Sequence, residues 1–227
     1  MATPQELDKH RTYHNSKNEE IPSVTTILNF VNSHLDGWAN YMGLKGVNTK
    51  KHVKERALYG TYIHTLCEKF FCNDVANLRP DYQYITQSNF DDLIFKLTTI
   101  REVFERKGYE FYNAELSLES ELFGGTIDLI LYNKEKDDYV IIDFKTSKSA
   151  YMKYYIQLAG YTKLVQETLN LNVKAVCIIL LEKQVQDSTF INLRLRENNL
   201  HNEEIFTFLL NIYYTCTSEE RKFYYAN

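Results

Sequence analysis

Apolar residues recur at helical spacing in six segments of the chain, each bounded by polar or turn-forming residues. Ser23 is suited to cap the first predicted helix, and Gly108 to end the fourth. The six predicted helices are a short one after Ser23, a second short one carrying Trp38 and Tyr41, and longer ones at about 48–72, 86–107, 150–169 and 202–217.

The same spacing predicts which side of each longer helix is buried. The predicted apolar stripes are Val53, Ala57, Ile63, Leu66, Cys67 and Phe70 in the longest helix, Phe90, Leu93, Leu97, Ile100 and Phe104 in the next, Tyr155, Leu158, Thr162 and Val165 in the helix at 150–169, and Ile205, Phe208, Leu209 and Ile212 in the last.

Short apolar runs rich in β-branched residues predict five strands. They lie at about 109–118, 126–132, 139–145 and 172–182, with an edge strand at about 189–195. The charged segment 133–138 is a suitable hairpin turn between the second and third strands. We therefore expect the α/β (α+β) class, with a central mixed β-sheet flanked by helices.

The length of 227 residues and the 44% hydrophobic content suit one domain with a sizeable core. Residues 1–20 lack apolar periodicity and are expected to form a flexible arm, while residues 21–227 form the domain. Within it, we expect a helical lobe at 21–108 and a core at 109–227. The chain shows neither a secretory signal nor an apolar run of membrane-spanning length, which predicts a cytoplasmic protein without membrane contact.

A formal net charge of −4 argues mildly against a protein that coats nucleic acid without specificity. Basic residues are nevertheless concentrated in two groups, which are Lys45, Lys50, Lys51, Lys54 and Arg56, and then Lys145, Lys148 and Lys153. The first group fits a solvated helix face as well as it fits a phosphate-binding surface.

Two carboxylates interrupt the apolar strands of the predicted hairpin. Asp128 lies in the first of these strands and Asp143 near the end of the second. Lys145 follows Asp143 by two residues, so both side chains leave the same face of the strand. Because bare buried carboxylates are costly, this polar cluster suggests a divalent metal ion.

These motifs resemble the active site of the PD-(D/E)xK nuclease superfamily. The resemblance rests on the acid of a GxxD strand, the Asp143–Lys145 motif in IIDFKTS, and the YxxQLAGY helix that follows. It is greatest for the RecB-type exonuclease branch, which includes phage exonucleases and the mitochondrial genome-maintenance exonuclease, and it covers roughly residues 21–165. It implies a restriction-endonuclease-like core.

The resemblance implies specific roles for the acidic cluster. Asp128, Asp143 and Lys145 would be catalytic, and both aspartates would bind Mg²⁺ or Mn²⁺ as one or two ions. His64, in a pattern resembling G-x-x-x-H-x-x-x-E, and the backbone carbonyl of Phe144 would be further ligands. Glu115 is a candidate catalytic acid that could bind a second ion.

Two glutamate roles implied by the resemblance leave alternatives open, and one feature of some relatives is not expected here. Glu68, one turn after His64, would orient that histidine or lie on the surface. Glu119 and Glu121 compete with Glu115 as candidate acids but also suit a turn. Some relatives hold an iron–sulfur cluster with four cysteines, but Cys67, Cys72, Cys177 and Cys216 lack that spacing, so no cluster is expected.

A second set of residues is expected to contact the substrate. Lys153, Gln157 and Tyr161 share one helix face, and the last two resemble the Q-x-x-x-Y motif that holds the scissile region in RecB-type nucleases. Nearby hydroxyl groups would contact phosphate oxygens or cap helices, and these belong to Thr146, Ser147, Ser23 and Thr25.

The function that the resemblance implies is metal-dependent hydrolysis of DNA phosphodiesters, with exonuclease action preferred. Its substrate would be single-stranded DNA or duplex ends, in replication, recombination or repair. A recombination or replication protein is the expected partner, and a phage origin would place the protein in the host cytoplasm. The alternatives are an endonuclease of the same fold and a non-catalytic nucleic-acid-binding or assembly protein.

Overall fold

A computed structural model describes residues 11–30, 44, 48–81, 83–181, 192–197 and 200–225. The predicted helix around Trp38 and Tyr41 lies outside these residues, as do residues 1–10 and Lys45. The helices are α1 (Val24–Phe30), α2 (Thr49–Phe71), α3 (Gln87–Glu105), α4 (Met152–Leu169) and α5 (Leu200–Tyr225). The strands are β1 (Tyr13–His14), β2 (Glu20–Ile21), β3 (Tyr109–Glu119), β4 (Gly124–Asn133), β5 (Asp138–Lys145), β6 (Val173–Leu180) and β7 (Asn192–Glu197).

Strands β3 to β7 form one five-stranded sheet in sequence order. The strands β3, β4 and β5 run antiparallel as a meander, and β7 is antiparallel to β6. The β5–β6 pair is parallel because α4 carries the chain back across the sheet between them. The predicted mixed sheet flanked by helices is confirmed.

Helices cover both faces of the sheet, and each face has its own hydrophobic cluster. Helices α2 and α3 pack on one face, against Val140, Ile142 and Phe144 of β5. Helices α1, α4 and α5 pack on the other face, where Ile141 belongs to the second cluster. The alternation along β5 assigns Asp143 and Lys145 to the α4 face, together with Ile141.

The buried stripes of α3 and α4 follow the predicted spacing. The stripe of α2 is wrong at its start, because Val53 and Ala57 are exposed and burial begins at Tyr59. In α5, Phe206 and Leu210 are buried while Phe208 is 65% exposed, so the predicted stripe is also shifted there. The shift arises because Phe206 fits against Gly160 of α4, where an added Cβ would lie 2.7 Å from its ring.

The expectation of a flexible arm is wrong for residues 11–20. Strands β1 and β2 form a small antiparallel hairpin, and the ring of Tyr13 is buried against Gly124. The Tyr13 hydroxyl also forms a 2.8 Å hydrogen bond with Thr126 Oγ1. Two-residue strands give no detectable periodicity, which is why this hairpin could not be predicted. Within the described ranges, no helix is both long and apolar enough to cross a membrane.

Candidate active site

The carboxylate of Asp128 lies where β4 and β5 separate. Backbone pairing between these strands runs from Leu129 opposite Ile142 to the hairpin turn, and Asp128 is the next residue beyond it. Its Oδ2 accepts a 2.7 Å hydrogen bond from the Phe144 N–H, and its Oδ1 lies 3.2 Å from Nδ1 of His64. Burial disfavours the charge of Asp128, but His64, Lys145 and this N–H hold its pKa below the ordinary value.

His64 reaches the sheet from α2. Burial opposes its protonation, but the Asp128 carboxylate outweighs that effect and raises the pKa of His64 to about 9. The metal-free site therefore contains an imidazolium–carboxylate pair near neutral pH.

Glu115 faces the same point from β3. The register pairs Ala114 with Leu129 and Leu116 with Ile127, which sets Glu115 opposite Asp128. Its backbone φ of 49° lies in the left-handed region, a conformation that costs a non-glycine residue about 1–3 kcal/mol. Residues strained in this way are concentrated at functional sites. Burial and the nearby Asp128 charge raise the pKa of Glu115 to about 7.

Asp143 and Lys145 form a buried ion pair beside this cluster. Lys145 Nζ lies 2.9 Å from Asp143 Oδ1 and 2.8 Å from Oδ2. Burial raises the pKa of Asp143 to about 6, and Lys145 only partly offsets it. Burial disfavours the charge of Lys145 in turn, but Asp143 and Asp128 raise its pKa above the ordinary value. The Tyr154 ring lies 5.1 Å from Nζ and favours its positive charge.

The backbone of Phe144 is directed toward Asp128. Its N–H donates to that carboxylate, and in an extended strand the N–H and carbonyl of one residue point to the same side. The next carbonyl, that of Lys145, points the other way and accepts a 2.7 Å hydrogen bond from the Leu181 N–H. The Phe144 carbonyl is thus oriented toward the acidic cluster, as the predicted ligand role requires.

The side chains of His64, Glu115 and Asp128 fit a metal ion. One ligand atom from each lies within 4.8 Å of the others. An imidazole with two carboxylates suits Mn²⁺, and carboxylates with a carbonyl oxygen suit Mg²⁺. Glu115, predicted as a catalytic acid that could bind a second ion, is part of this three-residue cluster. Asp143 is instead paired with Lys145, and its predicted ligand role stays a prediction.

The pair Gln157 and Tyr161 lies beneath β4. Gln157 Nε2 donates a 2.9 Å hydrogen bond to the Tyr161 hydroxyl, and both side chains are more than nine-tenths buried. The Tyr161 ring occupies the space above Gly125, where an added Cβ would lie 2.8 Å from Cε1. Their burial indicates that they support the strand carrying Asp128, and the predicted substrate contact stays a prediction.

The remaining predicted substrate contacts are occupied by partners within the protein. Lys153 Nζ donates to Asn29 Oδ1 at 2.6 Å. Ser23 Oγ accepts a 3.0 Å hydrogen bond from the Thr26 N–H at the start of α1 and lies 2.9 Å from Thr25 Oγ1, which favours capping.

The loop after β5 carries two more of these predicted hydroxyls. Ser147 Oγ donates to the Ser149 carbonyl at 3.0 Å. Thr146 Oγ1 faces Gly60 of α2, at 3.7 Å from the position of an added Cβ. Glu68 is half-buried on α2, and its charge adds slightly to the pKa of Glu115, which burial raises most. Its predicted role of orienting His64 stays a prediction.

Two site residues were missed by the sequence analysis. Tyr154 precedes Gln157 by three residues, and this helical spacing could have indicated that the two share a face. Arg11 lies 3.4 Å from Glu115 Oε2 and donates a 2.8 Å hydrogen bond to Thr126 Oγ1. No local pattern marks Arg11, because its position depends on a hairpin without a sequence signature.

Comparisons with known proteins address the fold and the family of this chain. The chain is similar in structure to a crystal structure described as a "putative exonuclease" from Eubacterium rectale, with a TM-score of 0.53 and 12% identity over 93% of this chain and 83% of that one. A second structure, of the protein SSO0001, has a TM-score of 0.32 and 14% identity over 65% of this chain and 82% of that one, and it carries no argument. No curated protein matches the chain.

The family comparison covers the acidic cluster and helices α2 to α4. The family model described as the PD-(D/E)XK nuclease superfamily matches residues 38–209, about three quarters of the sequence. This chain belongs to the PD-(D/E)XK nuclease superfamily.

Proposed function

We propose that this protein is an Mg²⁺- or Mn²⁺-dependent exonuclease that hydrolyses DNA phosphodiester bonds. The observation that carries the proposal is the convergence of His64, Glu115 and Asp128 beside the Asp143–Lys145 pair. Members of this superfamily are nucleases that use divalent metal ions, and the donor atoms of the cluster suit such an ion. The preference for exonuclease action follows the motif resemblance and the description of the Eubacterium rectale protein.

His64, Glu115, Asp128 and the Phe144 carbonyl would hold the ion. When bound, the ion would lower the pKa of a water molecule and neutralise charge on the scissile phosphate. Lys145 supplies a fixed positive charge at the same point, because Asp143 and Tyr154 hold its ammonium group in place. That group can orient the attacking water and stabilise the negative charge that develops on phosphate oxygens.

The pair Gln157 and Tyr161 keeps the site rigid from below. The Tyr161 ring, whose hydroxyl accepts a hydrogen bond from Gln157, packs against Gly125, three residues before Asp128 in the same strand. Rigid support of this kind keeps the reacting groups within the narrow limits that catalysis requires.

The test compares end-labelled linear DNA with circular DNA, single- and double-stranded, in Mg²⁺, Mn²⁺ or EDTA. The variants are Lys145→Ala and, as a matched control, Lys163→Ala, which removes a partly exposed α4 lysine paired with Glu167 at 3.0 Å. Metal-dependent loss of linear DNA only, abolished by Lys145→Ala alone, would support an exonuclease.

Other outcomes lead to different functions. Cleavage of circles would indicate an endonuclease, since an exonuclease needs an end. Retained DNA binding without cleavage in any metal would contradict the proposal and favour a non-catalytic binding protein. A replication or recombination protein as partner remains part of the proposal, to be sought by co-purification.

A further inference from the structure

The N-terminal hairpin places an arginine at the outer edge of the acidic cluster. Tyr13 anchors the hairpin through its buried ring on Gly124 and its hydrogen bond to Thr126. Arg11 precedes Tyr13 by two residues, and its Nη1 donates to the same Thr126 hydroxyl at 2.8 Å. The guanidinium is therefore held over β4 by an anchor that does not depend on its own charge.

The second guanidinium nitrogen of Arg11 is directed at a metal-ligand candidate. Its Nη2 lies 3.4 Å from Glu115 Oε2, with the Arg11 side chain 49% exposed and that of Glu115 19% exposed. The Glu115 carboxylate thus has a cation on its solvent side and the other two ligands of the cluster, His64 and Asp128, on its inner side. Arg11 and a divalent ion would compete for this carboxylate.

The chemistry of the two cations suggests how that competition is resolved. An arginine remains charged at any physiological pH, and its planar fork matches the oxygen pair of a phosphate as well as that of a carboxylate. If a metal ion held Glu115, the guanidinium would lose its carboxylate partner but keep its hydrogen bond to Thr126 beside the cluster. The nearest anion that a nuclease would bring there is the phosphate of the DNA strand.

We infer that Arg11 is an exchangeable partner, paired with Glu115 in the metal-free protein and with a DNA phosphate once the metal ion is bound. This inference rests on the proposed function. A purely structural role fits less well, because a half-exposed ion pair contributes little to stability and Tyr13 already fixes the hairpin.

The proposed exchange predicts that removing Arg11 strengthens Mn²⁺ binding and weakens DNA binding. Both affinities are measured with Arg11→Gln, Arg11→Lys and a control, Arg106→Gln. Arg106 is an exposed arginine paired with Glu102 at 3.0 Å. It lies three residues before Tyr109, the first residue of β3. Calorimetry without DNA should show Mn²⁺ binding to Arg11→Gln on the order of 10-fold more tightly, because a competing cation is gone. Arg11→Lys and the Arg106→Gln control should bind Mn²⁺ within about 2-fold of wild type, because the first keeps the charge and the second lies away from the cluster.

DNA binding should change in the opposite direction. In Ca²⁺, with the DNA checked for intactness, Arg11→Gln should bind an oligonucleotide on the order of 10-fold more weakly. The slope of log affinity against log salt should fall by about one. Arg11→Lys should keep the slope but lose part of the affinity, because an ammonium group lacks the fork.

The outcomes separate two failures. If wild type neither binds nor cleaves DNA, the proposed function fails, and this inference fails with it. If wild type binds and cleaves DNA but Arg11→Gln keeps the wild-type salt slope, or binds Mn²⁺ more weakly than wild type, the exchange alone is overturned.

Discussion

Asp128 accepts a hydrogen bond from the backbone N–H of Phe144, 2.7 Å away, across the point where their two strands separate. One oxygen of this carboxylate takes the place of a missing strand-to-strand hydrogen bond. The other oxygen remains directed at His64 and available to a metal ion. The same side chain therefore completes the sheet and forms the centre of the candidate site.

Replacing Asp128 with Asn should separate these two roles. The amide oxygen can still accept the Phe144 N–H, so circular dichroism should show an intact fold. The lost charge should lower DNA cleavage by at least ~100-fold and weaken Mn²⁺ binding. Asp91→Asn, at an exposed carboxylate that accepts from Gln87 on α3, is the matched control and should cleave normally. Full activity in Asp128→Asn would contradict the assignment.

Removing the amine of Lys145 should destabilise the protein in a pH-dependent way. In wild type the pKa of Asp143 is about 6, above its ordinary value, so ionisation of this carboxyl lowers stability as pH rises through about 4 to 6. In Lys145→Met the pKa of Asp143 should rise further, so the free energy of unfolding should keep falling above pH 6. The decrease should reach about 3–5 kcal/mol once the Asp143 carboxylate is ionised without a partner. Urea unfolding at pH 5.5 and 8 measures this, and an equal loss at both pH values would contradict it.

Metal binding should strengthen as pH rises from about 6 to 9. In the metal-free protein the pKa of His64 is about 9 and that of Glu115 about 7, so at pH 7 His64 is protonated and about half of the Glu115 carboxyl groups carry a proton. Both must lose them to act as ligands, and protons are therefore released on binding. Calorimetry in two buffers of different ionisation enthalpy detects this release at pH 7. Identical heats in the two buffers would show that neither group is a ligand.

Replacing Gly60 or Gly125 with alanine should change the stability of the protein in opposite directions. At Gly60 in α2 an added Cβ meets Thr146 Oγ1 at 3.7 Å, an ordinary contact, so alanine should stabilise the helix by about 0.5–1 kcal/mol. At Gly125 the same atom would lie 2.8 Å from the Tyr161 ring, which must then move and strain its bond with Gln157. Thermal unfolding of both variants tests the contrast, which would be refuted by a lower melting temperature for Gly60→Ala.

The sheet was predictable because its signals are local. Strand β5 is an apolar run ending at Asp143 and Lys145, and α4 follows with a regular stripe, so type, order and approximate bounds could be obtained from neighbouring residues. The parallel β5–β6 pair then follows from a helix that connects two buried strands.

The long-range parts of the site were harder to predict. Asp128 and Asp143 could be grouped from the hairpin pattern, whereas His64 joined them only through resemblance to a family. No local pattern predicts the left-handed conformation of Glu115 within a strand. Its choice over Glu119 and Glu121 rested on the resemblance and on the suitability of those two residues for a turn. The position of Arg11 depends on how Tyr13 fits against Gly124, a contact between segments more than a hundred residues apart.

That last contact also determines when the site can be completed during synthesis. Tyr13 and Thr126, which hold the hairpin to β4, are separated by 113 positions. At roughly 5–20 residues per second, the hairpin waits about 6–23 s for its partner strand to be made. Because this contact closes a loop of more than a hundred residues, docking of the hairpin should follow formation of the sheet. A newly made chain should therefore form its hydrophobic core before Arg11 reaches Glu115.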